Sequence, residues 1–208
     1  MKSLKESLFD SDIVSKDIKF TFAGLEINPM PVIYKHGKFQ FAKSWDQLSY
    51  KKKFGLKEGS TYFNWHQCDG INIKGWRLPT EKEWQKILAR RLHYPIEIDE
   101  EEGWLFYPDN YPLEINPEIT TKDQLKECIE HGCIFLHATS CHYKDIHSQH
   151  WGYISHGYGC YWTSTTRVCA GEVKEDDAIA MYFNTRNVSF SLGYGNKLIN
   201  YYPIILVK

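Results

Sequence analysis

The chain has 208 residues, 42% of them hydrophobic and 15% aromatic, enough for one full domain with its own core. A formal net charge of −1 supplies no field that would gather nucleic acid, and Lys51-Lys52-Lys53 reads as solvated surface. No window approaches the roughly 18 uninterrupted apolar residues of a membrane span, so the expectation is a soluble chain that does not insert in a bilayer.

Residues 1–19 are polar and weakly patterned, and Lys5, Glu6, Asp10 and Asp12 interrupt any apolar core of a signal peptide. They read as an arm or docking segment ahead of a single domain over residues 20–208. Without an export signal the chain is expected to be cytoplasmic at synthesis, with Cys68, Cys128, Cys133, Cys141, Cys160 and Cys169 as reduced, mostly buried thiols. Phe20-Thr21-Phe22 and Val32-Ile33-Tyr34 read as short extended pieces, broken by Asn28-Pro29-Met30-Pro31. Ser44-Trp45-Asp46-Gln47 has the form of a capping box, and residues 61–68 read as helical, with Phe63 or Trp65 turned inward.

A helix over residues 80–92 is the firmest element. Thr80 and Glu83 form a reciprocal capping box, Trp84, Ile87, Leu88 and Leu92 share one face, and Pro79 stops the preceding segment. An irregular stretch over 94–118 follows. Thr121-Lys122-Asp123-Gln124 then repeats the capping box, Leu125, Cys128 and Ile129 form a buried face, and Gly132 stops the helix. Cys133-Ile134-Phe135-Leu136 reads as a buried strand. Residues 161–165, 178–184, 188–192 and 202–207 are β-type runs, with Asn184-Thr185-Arg186-Asn187 as a hairpin connection. The architecture expected is α+β, helices first and a terminal antiparallel sheet last.

Gly75-Trp76-Arg77-Leu78-Pro79-Thr80-Glu81-Lys82-Glu83-Trp84 resembles the signature of bacterial C-type-lectin-fold domains. Tyr161-Trp162-Thr163-Ser164-Thr165 and Ala180-Met181-Tyr182-Phe183-Asn184 resemble the ending of one branch, the Fibrobacter-type major paralogous domain, close to the DUF1566 group of gut Bacteroidetes and their phages. The likeness is strongest over 60–93 and 133–208. It implies two or three helices on a small antiparallel sheet, with long irregular loops. It also implies folding roles for the signature: Trp76, Trp84 and Trp162 in the core beside Leu78 and Pro79, Arg77 bonded to buried backbone or a carboxylate, and Thr80 and Glu83 at the helix start. A fold of this kind does not fix a function.

The formylglycine-generating sulfatase-modifying enzymes resemble the same signature, but their later Arg-Gly-Gly-Ser-Trp and Gly-Phe-Arg segments have no counterpart, and no cysteine pair takes the place of their thiols. No enzyme is therefore expected. No cofactor is expected either, although Asp109, Asn110, Glu114 and Glu118 offer oxygens that suit a loop-bound calcium. His131, Cys133, His137, Cys141, His142, His147, His150, His156 and Cys160 invite zinc but lack tight ligand pairs, so buried thiols and surface histidines are expected there.

A recognition surface is the remaining reading. The stretch around Tyr143, Trp151, Tyr153, His156 and Tyr158 is aromatic, contains Gly and Ser and is poor in aliphatics, and Arg186, Asn187, Ser189, Ser191, Tyr194 and Asn196 share that flavour. The expected partner is a protein or glycan, met from a virion or cell surface. Assembly into a homo-oligomer or a virion through the N-terminal arm is the rival role.

Overall fold

The computed structural model describes residues 20–43, 53–90, 92–99, 101–111, 119–139, 141–144, 151–154 and 157–208; the arm over 1–19 and the capping box at Ser44 lie outside these. Local chemistry sets the first elements. Thr21–Phe22 (β1) and Leu25–Glu26 (β2) form a minimal hairpin, and Val32–Lys35 (β3) pairs with Lys38–Phe41 (β4). Asp109 ties down the first turn: its carboxylate accepts from Thr21 Oγ1 (2.7 Å), Ala23 N (2.8 Å) and Gly24 N (2.9 Å) and pairs with Arg90.

Helix α1 is shorter than the sequence suggested, Trp65–Cys68 instead of 61–68. Asn64 and Gln67 make a reciprocal capping box at its start, and Phe63 is extended because its backbone exchanges hydrogen bonds with Tyr202. Both Phe63 and Trp65 are buried, as expected. Helix α2, Glu81–Ala89, opens on the Thr80–Glu83 box. It ends before Leu92 because the chain turns at Arg90 and enters strand His93–Ile98 (β5).

That strand corrects the sequence reading of 94–118 as irregular. β5 pairs antiparallel with Glu101–Phe106 (β6), and β6 pairs with Ile134–His137 (β7). Pro95 fits because β5 is the edge of this sheet and a missing amide is tolerated there. β6 lies between two cores, so its run Gly103-Trp104-Leu105-Phe106 is buried on both faces and shows no alternation. Helix α3, Lys122–Glu130, starts at the Thr121–Gln124 box. It stops at Gly132, whose φ of +94° and contact with the Phe20 ring exclude a side chain.

Cys141–Lys144 (β8) pairs with Trp151–Ile154 (β9) on one side and Asn200–Tyr201 (β13) on the other. The terminal sheet joins Tyr158–Cys169 (β10), Glu172–Asn184 (β11) and Ser189–Asn196 (β12) in that order. Residues 202–207 are not the regular strand expected; they are held by single bridges of Tyr202 to Phe63 and of Val207 to Ile27 and Arg77. Helices therefore do not precede strands: three helices are threaded among thirteen strands of the described residues, giving an α+β fold built mostly of antiparallel sheets.

Alternation along the terminal sheet distributes its side chains to two cores. Cys160, Trp162, Ala178 and Ala180 face one, shared with Phe63, Trp65, Leu78, Tyr202 and Leu206. Tyr161, Met181 and Phe183 face the other, shared with Trp84, Ile87, Trp104, Phe106 and Val207. A third core lies under α3, where Leu125, Cys128 and Ile129 meet Leu105, Cys133 and Phe135. Two indoles stitch the first core: Trp65 Nε1 donates to Thr163 O and Trp162 Nε1 donates to Phe63 O, both at 2.8 Å.

Candidate ligand-binding surfaces

The signature segment behaves mostly as the resemblance implied. Trp84, Trp162 and Leu78 are buried, and Pro79 O accepts from Ser164 N at 2.9 Å. Arg77 bonds both kinds of partner foreseen: its guanidinium grips Glu83 with two bonds of 2.9 and 2.7 Å and donates to Leu78 O at 3.1 Å. It does so at the surface, since its side chain is 46% exposed. Glu83 also accepts from Thr80 N at 2.7 Å. The Arg77 contact first, then the Thr80 bonds, outweigh burial and lower the Glu83 carboxyl to about 2. Trp76 departs from the expectation: it is half-buried, packs edge-on against Phe41 and leaves part of its indole exposed.

The candidate contact residues do not form one site. Pairing places Tyr158, Asn184 and Ser189 in one row across the terminal sheet, and Cys160, Tyr182 and Ser191 in the next. Ser189 and Ser191 are exposed on β12, the edge strand, and Arg186 and Asn187 are exposed in the turn before it. That turn is firmly built. Asn184 Oδ1 accepts from Arg186 N (2.9 Å) and Asn187 N (3.0 Å), Thr185 N donates to Gly157 O (2.9 Å), and Thr185 Oγ1 donates to Glu102, which also faces Arg186 at 3.8 Å.

Tyr194 has the opposite parity and stands on the other face, where the Arg167 guanidinium lies 3.5 Å over its ring and pairs with Asp177 at 2.8 Å. Asn196 serves the backbone, its Oδ1 accepting from Leu198 N and Ile199 N. Tyr158 packs against the first core. Tyr143 is 41% exposed on β8 with its ring against Gly152; the backbones of Trp151 and Tyr153 run in β9, and His156 lies outside the described residues.

The calcium and zinc readings meet other chemistry. Asp109 is spent on the first hairpin: burial raises its carboxyl, but the bonds from Thr21, Gly24 and Ala23, with Arg90, leave it below the usual value. Asn110 is exposed, and Glu114 and Glu118 lie outside the described residues. Cys141 and Cys160 correct the expectation of reduced thiols, since they form a disulfide, Cα atoms 5.5 Å apart, that joins β8 to β10. Cys169 is exposed at the tip of the β10–β11 hairpin. Two histidines expected at the surface are interior: His142 lies against Phe54 and Tyr62, and His137 Nδ1 sits 3.2 Å from the buried Glu101 carboxylate. Among the described residues no three metal-ligating side chains converge, and no helix is long and apolar enough to cross a membrane.

A feature that sequence reasoning missed is an open groove of about 280 Å³ beside Trp76, lined also by Phe20, Ile27, Ile129, Glu26 and Glu130. Only the half-exposure of Trp76 reveals it, and nothing in the local pattern signals that. In comparisons with known proteins, no family model, no curated protein and no solved structure matches the chain.

Proposed function

We propose that this chain is a non-enzymatic recognition domain of C-type-lectin-like fold that binds a protein or glycan through the outer edge of its terminal sheet. The supporting observation is the Arg186–Asn187 turn and the adjoining Ser189 and Ser191. These are polar groups in solvent, on a backbone held by the Asn184 and Thr185 bonds, so little ordering entropy opposes contact with a partner. The fold assignment rests on the signature segment, whose Arg77, Thr80 and Glu83 act together to start α2, and on α2 packing into the core beneath the terminal sheet. Burial pushes up the Cys68 thiol and the Tyr62 and Tyr161 hydroxyls, which keeps these three groups from acting as nucleophiles, whereas the hydrogen bond from Cys133 lowers the Cys128 thiol inside the third core.

The test is a screen of the full chain on a glycan array and on bacterial cell surfaces, beside the variant R186A/N187A/S189A/S191A. These exposed substitutions should leave the melting temperature within about 2 °C and reduce any binding at least tenfold. Undiminished binding by the quadruple variant would remove the β12 edge from consideration.

A further inference from the structure

The end of α3 brings two sulfurs together. Past Glu130 the chain turns through His131 and Gly132, where Gly132 N donates to Ile129 O and Cys133 N donates to Cys128 O, each at 3.0 Å. These paired bonds, with Gly132 at a φ of +94°, form a Schellman stop. In that motif the third-last helical side chain meets the side chain that follows the glycine, and the contact is ordinarily between two apolar groups. Here the two positions are Cys128 and Cys133.

Both are free thiols buried in the third core. Their contact lowers the Cys128 thiol against the opposing effects of burial and Glu127, and with burial it raises Cys133, so Cys133 keeps its proton and donates to the Cys128 sulfur. Two phenols share this part of the core. The Tyr107 and Tyr111 rings stand 4.3 Å apart, and both hydroxyls are raised by burial first and then by neighbours that include both sulfurs. The Tyr111 hydroxyl is buried and has no hydrogen-bond partner among the described residues. Cys68 is the contrast: it is equally buried, but its sulfur donates to Asn64 O and Trp65 O and burial pushes its thiol up.

We infer that Cys128 and Cys133 are a reversible redox pair that a peroxide closes to a disulfide. The Cys128 sulfur attacks one peroxide oxygen, the O–O bond breaks, and the departing hydroxide leaves as water with the Cys128 proton, giving a sulfenic acid. The Cys133 sulfur then attacks the Cys128 sulfur, the S–O bond breaks, and a second water carries off the Cys133 proton. Two thiols are oxidised and one peroxide is reduced to two waters. Hydrogen peroxide is small and neutral, so a brief opening of the helix end admits it. The pair makes no use of the β12 edge and does not depend on the role given to that edge.

The experiment treats the folded variant Cys169→Ser, which lacks the exposed thiol, with excess hydrogen peroxide and maps the remaining cysteines by alkylation and mass spectrometry. Cys128 and Cys133 should lose their thiols together, about tenfold faster than Cys68 or more, in a product lighter by two hydrogens that dithiothreitol converts back. Adding Cys133→Ser should leave a sulfenic acid at Cys128 that dimedone traps. Should that variant fail to fold, the mapping of the Cys169→Ser protein decides alone. Loss of the pair no faster than loss of Cys68, or oxidation of either sulfur to a sulfinic acid without a crosslink, would overturn the inference.

Discussion

Replacing Glu83 by Gln removes a charge while keeping an oxygen that can accept from Thr80 N, so it isolates the ionic part of the α2 start. The carboxyl falls from 4.5 to about 2 on folding, which corresponds to roughly 3 kcal/mol at most. Arg77 is 46% exposed, and solvent screening reduces this to about 1–2 kcal/mol. For 208 residues, an unfolding entropy of about 2.1 cal/mol/K per residue turns this into a melting temperature lower by about 2–5 °C. Because the folded carboxyl is the more acidic, its contribution is complete above the unfolded value of 4.5 and disappears as pH falls through about 2. Thermal unfolding of wild type and Glu83→Gln, compared from pH 7 to pH 2, should therefore show a constant gap down to about pH 5 that then closes. Common acid effects on other groups cancel in the difference. A gap that persists undiminished at pH 2 would mean that Glu83 acts by shape and not by charge, and the argument would fail.

Three other expectations concern stability. Replacing both Cys141 and Cys160 by Ser frees a loop of sequence separation 19, which should cost about 3 kcal/mol; urea unfolding with and without reductant measures it, and a reductant-insensitive wild type would contradict the crosslink. Gly103→Ala drives a Cβ into the Leu136 carbonyl and to 2.7 Å from the Phe135 ring, so a loss of about 2 kcal/mol or more is expected, whereas unchanged unfolding would show that β6 and β7 separate freely. His93 packs against Trp104, Phe106 and Phe190, and burial lowers its pKa, so protonation opposes folding. Stability should decline as pH drops below about 6.5, and His93→Phe should flatten that part of the profile; an identical slope in the variant would exclude His93 as its source.

What could be read in the residues was chemistry confined to a few neighbours. Thr80–Glu83 and Thr121–Gln124 announce helix starts because the capping bonds join residues three apart. The same logic lay in Asn64–Gln67 and would have placed the start of α1 correctly. β5 and β6 were hidden because Pro95 and the acidic run before Gly103 imitate a loop, and because a strand buried on both faces loses its alternation. Trp76 and Trp84 look equivalent in sequence; only the fold leaves the first beside a groove with Phe20, Ile27 and Ile129 and seals the second among Ile87, Phe106 and Met181. The disulfide joins strands of two different sheets, a relation that spacing does not encode. The candidate surface was legible in composition and not in geometry, since Ser191 and Tyr194 fall on opposite faces through an odd offset of three positions.

The bridges of residues 202–207 also bear on how the domain is made. Tyr202 and Leu206 complete the first core, Ile205 and Val207 complete the second, and their partners Phe63, Ile27 and Arg77 lie well over a hundred residues earlier. A ribosome delivering this chain releases the early hairpins and α2 long before the segment that closes over them. Until Val207 has emerged, Trp84 and Trp162 lack apolar neighbours that the finished fold gives them. Completion is therefore a late, long-range event with a high loop-closure cost. In the cell, the nascent intermediate that exposes these indoles is the form to which chaperones would be drawn.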